Sequence, residues 1–79
     1  MKINPTFDTV AVGDQFVSDI RTFDSRGWFY ISTVLAVEPV SKRFGKEDRI
    51  VRVHTVTSDG SVVDDSKPMW VSQLLDGLV

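Results

Sequence analysis

Between Arg26 and Glu38 the chain carries no charge, and the wider stretch Gly27–Val40, GWFYISTVLAVEPV, is its longest apolar, β-favouring run. Aromatic and β-branched side chains fit a pleated surface well, so the run predicts a long central strand rather than a helix. Side chains alternate along a strand, which puts Phe29, Ile31, Thr33, Leu35 and Val37 on one face and Trp28, Tyr30, Ser32, Val34, Ala36 and Glu38 on the other. Neither face is fully polar. A strand that needs cover on both sides suits a strongly bent segment serving two sheets, as in small barrels and orthogonal sandwiches.

The rest of the chain sets limits around that strand. Seventy-nine residues make one small domain, residues 1–79, and a chain of this size buries only about 60–65 % of its unfolded surface. There is little core to spare for a cavity. With 42 % apolar residues and mean hydropathy near zero, the composition is that of a folded domain rather than a disordered chain. The absence of cysteine removes disulfides, thiolate metal sites and cysteine nucleophiles together. MKINPTFDTV has no apolar stretch of signal-peptide length and nowhere do eighteen apolar residues run together, so a cytoplasmic protein without membrane contact is the expectation.

Local signals divide the chain into short strands. Asn4-Pro5-Thr6 offers turn and capping chemistry, with Phe7 and Val10 as core plugs behind it. Gly13 permits a tight turn into a strand over Gln15–Arg21. After the central strand, Pro39 and the polar stretch Ser41–Asp48 read as the longest loop. Arg49–Ser58 alternates Ile50, Arg52, His54 and Val56 against Val51, Val53, Thr55 and Thr57, and Asp59-Gly60 then signals a hairpin with a primed turn. Asp64–Lys67 reads as an acidic turn, Met69–Val71 as a short closing strand, and Ser72–Leu78 as one helical turn capped by Ser72. The expectation is all-β: a small antiparallel five-stranded barrel with a short C-terminal helical turn.

The order Val12-Gly13-Asp14-x-Phe16, then Trp28-Phe29-Tyr30-x-x-Thr33-Val34-x-x-Val37, then Val51-x-Val53 leading to Ser58-Asp59-Gly60, resembles the Src-homology-3-like small barrels, particularly their Tudor and KOW-type branches, over roughly residues 10–72. In Tudor-type domains ring faces surround a methylated cation; by position the resemblance points to Trp28 and Tyr30, with Phe23 from the preceding loop. The later aromatics of that family are missing, since His54, Thr57 and Ser58 occupy the corresponding stretch and Trp70 lies beyond it. KOW-type barrels contact RNA through their loops, which implies a role for the basic stretch described next.

Catalysis finds little support. His54 stands alone on an alternating strand, and a metal site needs three or four convergent ligands, so neither a catalytic centre, a metal site nor a cofactor is expected. Asp64 and Asp65 are sequence neighbours and would point to opposite faces of a strand. Binding has more to stand on. Trp28, Tyr30, Phe44 and Trp70 are candidate contacts for a protein partner, and Trp28, Tyr30 and Trp70 are also readable as core residues. The net charge of −2 conceals a basic middle: residues 42–52 hold Lys42, Arg43, Lys46, Arg49 and Arg52 against Glu47 and Asp48, with acidic stretches on either side. With Phe44 among them, those five cations form the alternative site, for RNA or DNA, although a pI of about 5.1 is low for such a role. The primary expectation is a non-enzymatic module acting through protein–protein contact, as a monomer or homodimer. Small, cysteine-free, acidic proteins of phages and bacteria that modulate a host factor are an analogy of size and charge.

Overall fold

The computed structural model describes residues 1–17 and 29–76. Along the chain come β1 (Gln15–Val17), β2 (Tyr30–Val37), β3 (Ser41–Arg43), β4 (Lys46–Asp48), β5 (Ile50–Thr57), β6 (Val62–Trp70) and the helix α1 (Val71–Asp76). The strands form a four-stranded antiparallel sheet in the order β1-β2-β5-β6 and a separate antiparallel hairpin, β3-β4. The architecture is therefore mostly antiparallel β, as expected, but the five-stranded closed barrel is not what forms. Among the described residues there are six strands, and β1 and β6 are the two ends of an open sheet. Closure would need β6 to meet β1. Instead the chain turns into α1 directly after Trp70, while Lys2–Asn4 occupies the free edge of β1: Gln15 N–H donates to the Lys2 carbonyl at 3.0 Å and Asn4 N–H to the Gln15 carbonyl at 2.8 Å.

The long run is central, with β1 on one side and β5 on the other. Its bend is a bulge. The register Val34↔Val53 becomes Ala36↔Arg52, so an extra residue enters β2 there and the side-chain alternation shifts by one. That shift exposes Leu35 and Ala36 and turns Val37, expected on the face opposite Val34, onto the same core. Ile31, whose position lies before the bulge, stays half-buried on the outer face opposite Val56.

The core lies on the inner face of the sheet, under α1 and the N-terminal turn. Val10, Phe16, Val34, Val51, Val53 and Val71 are buried, with Phe7, Val37, Met69, Leu74 and Leu75 packed against them. The alternation read along β5 is the one observed: Val51, Val53, Thr55 and Thr57 are buried and Arg52 is exposed. Two buried hydroxyls, Ser32 and Thr55, satisfy each other at 2.8 Å. Asp14 is only 3 % exposed and anchors the N-terminus: it accepts from Lys2 N–H at 2.8 Å and Ala11 N–H at 2.9 Å, and its carboxylate lies 3.2 Å from the Lys2 ammonium. The Lys2 N–H bond, with help from Ala11, holds the carboxyl below its ordinary value against the opposing effect of burial.

The Asp59-Gly60 hairpin forms, but with a different turn. Only Gly60 has positive φ, at 92°; Gly60 N–H donates to the Thr57 carbonyl and Thr57 N–H to that of Ser61, the pattern of a type I turn closed by a glycine bulge. The Asp59 carboxylate accepts from the Thr57 hydroxyl and the Ser61 N–H, and these bonds lower its pKa. Asp64–Lys67 is not a turn. It lies within β6, which tolerates Pro68 because it is an edge strand. The helix begins one residue before Ser72; the Trp70 N–H is capped by the Gln73 side chain at 3.2 Å. The end expected at Gly77–Leu78, and the second half of the Gln15–Arg21 strand, lie outside the described residues.

Candidate functional site

The stretch expected to be the longest loop, Ser41–Asp48, is a hairpin. Its register, Ser41↔Asp48, Lys42↔Glu47 and Arg43↔Lys46, leaves Phe44-Gly45 as a two-residue connection. Both residues have positive φ, 52° and 79°, which is the requirement of a type I′ turn. Gly45 meets it freely. Phe44 does not, because its Cβ crowds the backbone in the left-handed region at a cost of roughly 1–2 kcal/mol. Burial within the fold does not offset this, since Phe44 is 90 % exposed, and among the described residues the Arg43 guanidinium lies over its ring, 5.0 Å from the centroid.

The hairpin is held at its base. The Asp48 carboxylate, 4 % exposed, accepts from Arg49 N–H at 2.8 Å, from Ser72 N–H at 3.3 Å and from the Ser72 hydroxyl. Arg43 Nη1 donates to the same Ser72 oxygen at 2.8 Å, and Val71 N–H donates to the Arg49 carbonyl at 2.8 Å. Both hairpin strands are thus tied to the first turn of α1. Asp48 and Ser72 were invisible as a pair in the sequence, being 24 residues apart with no local signal joining them.

The structure separates the five cations of the basic stretch. Arg43 is engaged with Ser72 and the Phe44 ring, Arg49 donates to the carbonyls of Glu38 at 2.6 Å and Phe7 at 3.4 Å, and Arg52 donates to Ser66 at 3.0 Å. Lys42 and Lys46 are exposed, with no hydrogen-bond or ion-pair partner among the described residues, and Lys42 stands across the hairpin from Glu47. All five stay cationic, because these acceptors are neutral, and Lys42 and Lys46 are the two whose side chains the fold does not hold in place.

The three aromatic candidates among the described residues do not converge. Trp28 lies outside the described residues. Tyr30 pairs with Thr57 and Trp70 with Ile50, which places them at opposite ends of β5, about 23 Å apart along the strand at about 3.3 Å per residue. Both are half-buried. Of these three, Phe44 alone is fully presented. Tyr30 instead lines a cleft of about 220 Å³ between the inner sheet face and α1, with Phe16, Val63, Met69 and Leu74 as its apolar walls. The Ser32–Thr55 pair also lines it, together with Asp64 and Lys67 from β6. His54 is half-buried on β5, its Nδ1 3.1 Å from the Asp65 carbonyl.

No helix among the described residues is long and apolar enough to cross a membrane. In comparisons with known proteins, no family model matches the chain, nor does any curated protein or solved structure.

Proposed function

We propose that this protein is a non-enzymatic binding module that docks onto a protein partner through the β3–β4 hairpin, with Phe44 as the anchor and Lys42 and Lys46 beside it. One observation carries the reading: an aromatic residue occupies a left-handed turn position and is 90 % exposed. Local strain that brings no packing gain within the fold is the mark of a position kept for an outside contact. Aromatic anchors dominate the energetics of protein interfaces when a partner's pocket desolvates them. The hairpin's ties to α1 matter here because they hold the tip in place before binding, which lowers the ordering cost.

A nucleic-acid role would draw on the same tip, with base stacking on Phe44 and the nearby cations for phosphates, but the chain's net charge of −2 and pI of about 5.1 weigh against it. Kinship with the Src-homology-3-like domains is part of the proposal, supported by the Gly13 turn before β1 and the Gly60 turn after β5. The test is a photo-reactive phenylalanine analogue at position 44, with exposed Val12 as the control position. Nuclease-resistant protein adducts at 44 and none at 12 are the expected result. Adducts that vanish with nuclease, or equal labelling at both positions, would overturn the reading.

A further inference from the structure

The molecule carries a projecting ring at the tip of its β3–β4 hairpin and, on the inner face of the sheet beside α1, a cleft with room for one. We propose that the Phe44 tip of one copy seats in the cleft of a second copy, so that the chain associates head to tail. This rests on Phe44 being a docking anchor and adds the identity of what receives it.

Size is the first argument. At about 220 Å³ the cleft falls short of the roughly 300 Å³ at which pockets for drug-sized ligands begin, yet it can take a phenyl ring. Its walls suit one: Phe16, Tyr30, Met69 and Leu74 offer two rings, a thioether and an isobutyl group. Val63 stands at its rim, 49 % exposed.

Charge is the second. Beside Phe44 the hairpin presents Lys42, with Glu47 across from it, and Lys46. The cleft carries Asp64 and Lys67, with exposed Asp65 next to them on β6. A lysine of the hairpin can meet Asp64 or Asp65 while Glu47 meets Lys67, so the mixed signs on the two surfaces match when the surfaces face each other. A chain of net charge −2 with a basic hairpin is self-complementary in this sense.

Placement decides the symmetry. The Phe44 tip points away from the hairpin's base at Asp48, Arg49 and Ser72 and is not part of the cleft, which runs on the inner sheet face from Met69, opposite Val51, to Thr55 and to Tyr30, opposite Thr57. Donor and acceptor are different surfaces, which makes the contact heterologous and able to propagate beyond two copies. One inserted ring buries far less than the roughly 1,600 Å² of a standard interface, so association belongs in the high-micromolar range or weaker.

Sedimentation velocity from about 20 µM to 1 mM tests this, with the unfavourable entropy of weak association setting the need for the upper limit. The wild type is expected to gain mass with concentration and to lose the gain in 0.5 M salt. Phe44→Ala, which lacks the ring, and Val63→Arg, which blocks the rim, are each expected to stay monomeric. Mixed one to one, they are expected to form a dimer and nothing larger, since one partner supplies the ring and the other the open cleft. Should Val63→Arg fail to fold, Asp64→Lys with Asp65→Lys takes its place, reversing the rim charge and leaving the walls intact. A wild type that is monomeric throughout, a Phe44→Ala variant that associates as well as the wild type, or a mixture that stays monomeric would each overturn the proposal. A monomeric wild type that still gives protein adducts at position 44 overturns only this inference and leaves the docking role standing.

Discussion

Replacing Phe44 by Asn should make this protein more stable, an unusual outcome for the loss of a phenylalanine. The native turn holds a non-glycine, non-asparagine residue at φ 52°, and Asn-Gly is the preferred pair for such a turn. Relief of the left-handed strain is worth roughly 1–2 kcal/mol. The ring is 90 % exposed, so its removal forfeits almost no burial; the loss is the contact with Arg43, about 0.5 kcal/mol at an exposed site. The balance is a gain of roughly 0.5–1.5 kcal/mol. For a domain of 79 residues that corresponds to a rise in Tm of about 2–12 °C, at some 4–8 °C per kcal/mol. Urea unfolding followed by tryptophan fluorescence measures it, with Phe44→Ala as the comparison because alanine removes the ring and keeps the strain. Asn is expected above the wild type and Ala at or slightly below it. If Phe44→Asn instead destabilised by more than about 1 kcal/mol, the ring would have to pack against the protein, and the case for an outward-facing anchor would fall with it.

Three further outcomes follow from the same geometry. Val53→Ala, at a buried position of the core, should cost roughly 2–3 kcal/mol in transfer and cavity terms, whereas Ile31→Ala on the half-buried outer face should cost about 1 kcal/mol or less; equal losses in denaturant titrations would contradict the assignment of faces. Asp48→Ala removes the acceptor shared by Arg49 and Ser72 and should destabilise by about 2 kcal/mol, with faster amide exchange concentrated in residues 41–48; exchange that rises evenly across β2 and β5 would argue against a local fastening. Asp14 has a folded-state pKa below its ordinary 3.8, so its contribution is present above that pH and is lost as pH falls toward the lower folded value. Acid titration of Asp14→Asn should therefore show a shallower loss of stability below pH 3.8 than the wild type, and identical acid limbs would refute the role given to the Lys2 and Ala11 bonds.

What the sequence alone determined is the part of the fold governed by neighbours a few residues apart. The two-residue alternation of Ile50–Thr57 fixes which side of β5 is buried, because a strand has no other way to sort Val51, Val53, Thr55 and Thr57 from Arg52. Asp59-Gly60 marks a reversal whichever turn type is used, and the Trp-Phe-Tyr run leads into a strand flanked on both sides. Phe44 was legible as a candidate contact, though not why it stands clear of the protein. Tertiary structure decided the rest. The extra residue between Val34 and Ala36 reverses the alternation by pairing two residues of β2 against one of β5, and no pattern within β2 shows it. Phe44-Gly45 did not read as a hairpin turn because phenylalanine is a poor left-handed residue; the pairing of Ser41–Arg43 with Lys46–Asp48, and the bonds from Asp48 and Arg43 to Ser72, hold it there. Those same bonds fix where the Arg43 guanidinium sits, which the linear charge count does not show. The sheet stays open for a like reason: Lys2–Asn4 bonds to the edge of β1 and the chain coils into α1 after Trp70, choices set by partners distant in the chain.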